Sequence, residues 1–194
     1  MTTFNLPIFP LPIFLLPQGI TRLRIFEARY LKMVSLAMKN NGFVILPNAN
    51  ASASASELKA IGSWVEIIDF DQSENGLLLI DVRCKCLVDI SALQQDENQL
   101  HHAQVNRRAH WSETRVNETN DKIASSLKQV FSHNSELDNL YVDKNFQLAN
   151  WVVARWLELL PVKLDEKNAF IEQDSFHHAM QFVEAIILAE ESNN

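Results

Sequence analysis

The chain has 194 residues, of which 47% are apolar and 21% are charged, and this composition excludes wholesale disorder. Its formal net charge of −7 disfavours binding to the phosphate backbone of a nucleic acid. Its four glycines stand at least 14 residues apart. This excludes the G-x-G-x-x-G, Walker A and G-x-S-x-G motifs, because each needs two nearby glycines.

The first 17 residues are apolar and rich in proline. They contain Pro7, Pro10, Pro12 and Pro17, and no Lys or Arg precedes Arg22. A secretory signal has a basic start and a helical core, which prolines break, so the sequence predicts none. No run approaches 18 apolar residues, so we expect no membrane span and a cytoplasmic protein. Residues 4–11 can be extended, but prolines lack ladder donors, which predicts an edge strand or a barrel rim.

Short apolar and alternating runs predict a β-rich part that ends at Trp111. Residues 20–26 alternate apolar and polar side chains, as in a half-buried strand. A 3.6-residue period, with Glu27 at its start and Asn-Asn-Gly at its end, predicts a helix over 27–40. Asn75-Gly76 predicts a tight hairpin. The remaining predicted elements are strands at 43–46, 63–70, 77–90 and about 99–110, and a loop at 49–56.

Helical periods dominate the rest of the chain. The predicted helices cover about 117–132, 145–160, 163–172 and 174–190. The net charge becomes negative at the same place. Residues 1–110 carry 10 Lys+Arg and 10 Asp+Glu, whereas residues 111–194 carry 7 Lys+Arg and 14 Asp+Glu. Strands followed by helices predict an α+β fold with a β-rich subdomain, 1–111, and a helical subdomain, 112–194.

Residue types for metal or catalytic chemistry occur without the spacing that such chemistry needs. Cys84 and Cys86 share one face of a predicted strand, with no second pair to complete a zinc site. The pairs His101-His102 and His177-His178 cannot chelate alone, because adjacent side chains diverge on strands and helices. No Ser, His and Asp spacing indicates a hydrolase. We therefore expect no metal, no cofactor and no catalytic residue.

Two further groups of residues are candidates for binding. The basic cluster Arg22, Arg24, Arg29 and Lys32 contains Glu27, which favours ordinary ion pairing over phosphate binding. Trp151 lies one step off the apolar stripe of its predicted helix, and Trp111 lies at the junction of the two halves of the chain. Each is therefore a candidate binding anchor as well as a candidate packing residue.

The order of motifs resembles the N-terminal domain of the Lon proteases. Leu6-Pro-Ile-Phe-Pro-Leu11 and Pro17 precede the most specific segment, Leu23-Arg-Ile-Phe-Glu-Ala-Arg-Tyr-Leu-Lys-Met-Val34. The order continues through Ile61-Gly62, Glu66–Phe70, Asn75-Gly76 and Leu77–Val82, and then through Leu159-Leu160-Pro161, Lys167 and Asp174. Cys84 and Leu87 depart from the family, which commonly has glycine and arginine there.

The resemblance implies a PUA-like β-barrel with one inserted helix, followed by a helical bundle. It also implies a substrate-recognition domain that stands alone, without the ATPase and the Ser-Lys peptidase of full-length Lon. The sequence thus predicts a non-catalytic module that binds unfolded or extended polypeptide through an apolar groove between barrel and helices. Candidate contacts are Phe9, Phe14, Phe26, Trp111 and Trp151.

Other functions and partners stay open at this point. An RNA-binding or RNA-modification accessory on a PUA-like barrel is the alternative, and a small-molecule hydrolase is a third. A separate protease or chaperone is a candidate partner, and self-association is open.

Overall fold

The computed structural model describes residues 2–47, 60–117 and 120–191. The predicted loop at 49–56 lies outside these residues. The chain divides into two compact units, Met1–Arg108 and Ala109–Asn194. The fold is mixed α+β, as predicted, and the predicted subdomain boundary at residues 111 and 112 stays a prediction.

The first unit contains six strands and one helix among the described residues. They are β1 (Phe4–Pro10), β2 (Ile20–Ile25), α1 (Ala28–Asn40), β3 (Phe43–Leu46), β4 (Ala60–Gln72), β5 (Leu78–Gln95) and β6 (His101–Arg107). The strands form one sheet in the order β2-β5-β4-β3-β1-β6, with a further pairing between β5 and β6. Every strand that the sequence predicts is present, and β4 and β5 are longer than predicted.

The position of β1 corrects one of the two alternatives predicted for residues 4–11, the edge strand, whereas the barrel rim stays a prediction. β1 lies between β3 and β6 in the sheet order. However, residues Phe4–Ile8 pair with β6, whereas residues Ile8–Pro10 pair with β3. Because the strand changes partner at Ile8, most of its residues pair on one side only. A segment with two prolines can therefore occupy an interior place in the sheet.

Local signals in the sequence explain where α1 ends and where the chain turns between β4 and β5. Asn41 has φ 72° and donates its backbone N–H to Ala37 O, which closes α1 with a left-handed residue. Gly76 has φ 76°, and its N–H donates to Ser73 O at 2.8 Å. Asn75 is not among the described residues with positive φ, so the hairpin uses glycine alone rather than the Asn-Gly pair.

Alternate residues of the strands supply two separate apolar clusters. In β3, Phe43 and Ile45 join the cluster that also holds Tyr30 and Met33 of α1. Val44 and Leu46 join the other cluster. Because both faces of β3 are covered, all four of its residues are buried, as its uniformly apolar sequence predicts.

The second unit is helical. Its helices are α2 (Asp121–His133), α3 (Ser135–Leu140), α4 (Ala149–Leu159), α5 (Leu164–Lys167) and α6 (Phe176–Glu191), with a 3₁₀ turn at Asn168–Phe170. α4 packs against both α2 and α6, and its residues 151–157 are all buried. The sequence predicts α2, α4 and α6 within a few residues but misses α3. Among the described residues, every helix falls short of the length and apolarity that a membrane span requires.

Candidate functional site

The edge formed by β2 is the most distinctive surface of the first unit. Residues Ile20–Ile25 pair with Leu78–Arg83 of β5, and within the described residues no strand lies on the other side of β2. Leu23 and Ile25 are buried, whereas Arg22 and Arg24 are exposed. This alternation fixes which side of β2 faces the core.

The pairing register of β2 with β5 determines which main-chain N–H and C=O groups of β2 point away from the sheet. Cys84 N–H donates to Gly19 O at 2.8 Å, which marks a hydrogen-bonded pair just before β2. Hydrogen-bonded pairs recur every second residue in an antiparallel ladder, so Thr21, Leu23 and Ile25 face β5. The N–H and C=O groups of Arg22 and Arg24 therefore point outward, where an extended chain could pair with them.

Exposed apolar side chains occur in the second half of β4 and at the residues that follow β2 and precede β5. Ile25 pairs with Leu78, so Phe26 and Leu77 are the next residues along these strands. Phe26 and Phe70 are each 69% exposed, which is unusual for aromatic rings. Ile68 and Leu77 are exposed as well. We call Phe26, Ile68, Phe70 and Leu77 the apolar rim.

Charges of the predicted basic cluster are mostly neutralised by ion pairs. Arg22 donates to Asp81 through Nε at 2.6 Å and through a terminal nitrogen at 2.7 Å. This hydrogen bonding raises the pKa of Arg22 above its ordinary value, although burial opposes the shift. Arg29 pairs with Glu27 at 2.7 Å, and Lys32 pairs with Asp96 at 2.8 Å. Three of the four cations in the predicted basic cluster thus form ion pairs with carboxylates, as the sequence predicts.

The five candidate contact residues occupy different environments. Phe9 is 5% exposed and packs on Tyr30, with ring centroids 4.2 Å apart, and Phe14 is 9% exposed. Of the three candidates in the first unit, only Phe26 protrudes into solvent. Their role as contacts stays a prediction, since Phe9 and Phe14 could reach a ligand only if the segments covering them moved.

In the second unit, Trp151 is 2% exposed and lies among the rings of Phe131, Tyr141 and Phe146. Trp111 is half-buried. Its Nε1 donates to Ser175 Oγ at 3.0 Å, and its ring stacks on His110 with centroids 4.4 Å apart. Trp111 keeps part of its surface available, whereas Trp151 contributes to the core.

Sequence reasoning missed Phe70, Ile68 and Leu77. A signal was present for Phe70, because an aromatic residue between Asp69 and Asp71 just before a turn is poorly placed for burial. The register of β4 shifts between Ile67 and Asp69. Side-chain alternation along β4 therefore cannot predict whether the side chain of Ile68 is buried or exposed. Only the folded structure shows that it is exposed.

The residues considered for metal or redox chemistry are dispersed. Cys84 is buried and Cys86 is half-buried, and burial raises the pKa of the Cys86 thiol, which keeps it protonated. His102 approaches Asp96 at 3.5 Å, while burial lowers the pKa of His101. In residues 2–47, 60–117 and 120–191 no group of three or more His, Cys, Asp or Glu could hold a metal ion.

Residues 5–186 match the family model of the ATP-dependent protease La (LON) substrate-binding domain. No curated protein sequence matches the chain.

Two solved structures resemble the fold. One is a Lon N-terminal domain protein from Xanthomonas campestris, with a TM-score of 0.70 and 24% identity, covering 94% of this chain and 98% of the other. The second is the N-terminal domain of a Mycobacterium avium complex Lon protease, with a TM-score of 0.55 and 9% identity, covering 93% of this chain and 96% of the other. At these identities the likeness concerns the fold.

Proposed function

This chain belongs to the ATP-dependent protease La (LON) substrate-binding domain family, and from this premise we propose that it is a non-catalytic module that binds unfolded or extended polypeptide. The resemblance recognised in the sequence is thereby confirmed. Membership supports a substrate-binding role, with protein substrates as the partners. The surface that binds them is our own proposal.

The observation that supports this proposal most directly is the open edge of β2 together with the apolar rim. Outward N–H and C=O groups at Arg22 and Arg24 can pair with any extended chain, because backbone pairing does not depend on sequence. Phe26 and Phe70 offer large apolar surface, which unfolded chains match with their own exposed apolar side chains. The two features together suit a ligand that is extended and apolar.

Folded proteins would be poor ligands for this surface. Their backbone groups are already paired and their apolar side chains are buried. The edge therefore selects chains that lack stable structure.

An experiment on the apolar rim tests this proposal. Fluorescently labelled α-lactalbumin that has been reduced and carbamidomethylated cannot refold, and its binding is followed by anisotropy. We expect the double variant F26S/F70S to weaken binding at least about tenfold, which corresponds to about 1.4 kcal/mol. Both rings are exposed, so the substitutions leave the core intact.

Val142→Ser is the matched control for the double variant. Val142 is 93% exposed and belongs to the second unit, so its loss removes exposed apolar surface outside the apolar rim. If F26S/F70S binds as tightly as the unaltered protein, the apolar rim is not the binding surface. If Val142→Ser weakens binding equally, general surface hydrophobicity explains the result.

We also propose that the first unit is a PUA-like barrel. β5 pairs with β4 and β6, and β3 and β1 connect β4 to β6, so the pairings return to their starting strand. One apolar cluster receives residues from these five strands and none from β2. A closed barrel enclosing that cluster accounts for both facts. The predicted helical bundle of the second unit and the apolar groove between barrel and helices likewise remain proposals.

The candidate site does not support the alternative function, an RNA-binding or RNA-modification accessory. A phosphate-binding patch needs cations that are available, whereas Arg22, Arg29 and Lys32 are held by carboxylates.

A further inference from the structure

A cleft in the second unit lies outside the surface discussed above. Its volume is about 500 Å³, and it is lined by Arg115, Val116, Asp121, Ala124, Lys128, Lys144, Phe146 and Gln147. Backbone pairing builds one wall, since Val116 N–H donates to Gln147 O at 2.9 Å and Arg115 forms a β-bridge with Leu148. The other wall is one face of α2, because Asp121, Ala124 and Lys128 recur at helical spacing.

Cations converge on this cleft although the surrounding unit is acidic. Residues 109–194 carry 7 Lys+Arg and 14 Asp+Glu, and three of those seven cations line the cleft. Asp121 lies in the lining, and Asp138 pairs with Lys144 at 2.8 Å. Among the described residues, these three cations face two carboxylates, Asp121 and Asp138, and this balance suits a ligand with a single negative charge.

An apolar surface adjoins the cations. The ring of Phe146 lies 5.8 Å from Lys128 Nζ. It is held from behind by edge contacts with Phe131 and Trp151, whose centroids are 5.4 and 5.3 Å away. Val116 and Ala124 extend this apolar wall. A ligand that fits the cleft therefore carries one anionic group beside an apolar side chain.

We propose that the cleft binds the C-terminal carboxylate of a polypeptide whose last residue is apolar. This inference rests on the proposed function, because it assigns a chain end to a protein that binds polypeptide. The carboxylate faces Arg115 and Lys128, and Lys144, which pairs with Asp138, lies beside them; the last side chain packs on Phe146. A phosphate monoester would bring about two negative charges at neutral pH, more than the local charge balances.

The test uses the full chain and a fluorescein-labelled glycine-serine peptide that ends in leucine. One form has a free C-terminal carboxylate and the other a C-terminal amide. We expect the amide to bind at least about tenfold more weakly, since it loses the charge-assisted hydrogen bonds. Arg115→Gln and Lys128→Gln are expected to weaken binding of the free acid by a similar factor while leaving binding of the amide unchanged.

Lys122→Gln is the matched control, because Lys122 is an exposed lysine of α2 outside the cleft. Equal binding of acid and amide overturns the proposal, and so does undetectable binding of the free acid. Inorganic phosphate competing at lower concentration than acetate also overturns it, in favour of a phosphate ligand.

Binding of the unfolded α-lactalbumin is measured on the same proteins. If the cleft proposal fails while lactalbumin still binds, the proposed function stands. If the unaltered protein binds neither probe, both proposals fail.

Discussion

At the scale of single residues, Arg155 is the most deeply buried charge among the described residues. It is 1% exposed and bonds Glu158 through Nε at 2.6 Å and through a terminal nitrogen at 2.8 Å. Lys167 Nζ donates to Glu158 O at 3.3 Å, and burial lowers the pKa of Lys167. The carboxylate of Glu158 thus compensates the buried charge of Arg155, whereas the main-chain carbonyl of Glu158 accepts the hydrogen bond from Lys167.

Removing the carboxylate of Glu158 should therefore destabilise the second unit strongly. We expect Glu158→Gln to lower the free energy of unfolding by about 3–5 kcal/mol, because it leaves Arg155 buried without its counter-ion. Urea unfolding followed by tryptophan fluorescence measures this change. The control is Glu66→Gln, which breaks the exposed pair with Arg83 and should cost about 1 kcal/mol or less. Equal losses in both variants would contradict this account.

Asp96 makes the first unit sensitive to acid. A hydrogen bond from Lys32, together with the backbone N–H groups of Leu100 and Asn98, holds the pKa of Asp96 well below its ordinary value. A carboxyl with a lowered pKa stabilises the fold fully above its unfolded pKa of about 4. That contribution is lost as the pH falls toward the lowered pKa.

Asp96→Asn tests the predicted acid sensitivity. At pH 7 we expect the urea midpoint of the unaltered protein to be higher than that of the variant. This difference should shrink steadily below pH 4, because Asp96 takes up a proton in the unfolded chain. A difference that is constant from pH 7 to pH 3 would show that Asp96 does not titrate in this way.

Two glycines with positive φ should respond differently to substitution. A Cβ on Gly42 (φ 115°) would lie 1.9 Å from Val65 O, whereas one on Gly76 (φ 76°) would have nothing nearer than 3.7 Å. Gly76→Ala should cost only the strain of a left-handed alanine, about 1–2 kcal/mol. Gly42→Ala must also displace a strand carbonyl, so we expect more than about 3 kcal/mol. Thermal unfolding of both variants checks the order, and a smaller loss for Gly42→Ala would contradict it.

At the scale of elements, the edge of β2 carries its own prediction. Arg24→Pro removes an N–H that points away from β5, so the ladder between β2 and β5 keeps its hydrogen bonds. We expect binding of unfolded α-lactalbumin to fall at least about tenfold, because an added strand loses a main-chain donor. Arg24→Ala removes the same charge but keeps the N–H, and it should bind nearly as well as the unaltered protein.

Circular dichroism verifies that Arg24→Pro retains its strands. Comparable loss of binding in Arg24→Ala and Arg24→Pro would show that the charge matters and that the main-chain edge does not.

The elements also show how far the sequence alone could predict the fold. The helix over 27–40 was predictable, because a clear period and a left-handed Asn41 mark its face and its end. α3 was missed because it has six residues and no buried face, although Asn134 accepts a hydrogen bond from Leu137 N–H at its start. The prolines of residues 4–11 predict an edge strand or a barrel rim, and the interior place of β1 was not predictable because a change of partner within a strand leaves no local signal.

The candidate site was less predictable than the fold. Trp151 was a plausible anchor because it falls off the main apolar stripe of α4, but α4 is buried on all sides, so a stripe cannot separate its faces. Phe26 was identified, whereas the rest of the apolar rim depends on which strands end together. The positions of these residues in the sheet are set by long-range pairing of β2, β5 and β4, which periodicity along one strand cannot encode.

At the scale of the whole molecule, the two units differ in charge and in the ligand features that they offer. The first unit has balanced charges, with an open strand edge and apolar side chains, which suit the middle of an extended chain. The second unit is acidic, with a small cationic cleft, which suits a chain end.

The measurement that tests the central claim most directly is a titration of the full chain into the labelled, permanently unfolded α-lactalbumin. A labelled single-stranded RNA is titrated beside it, and both are measured at low and at high salt. The account predicts saturable binding to the unfolded protein that changes little with salt, because apolar contact and backbone pairing dominate. Binding to RNA alone, weakening steeply with salt, would contradict it.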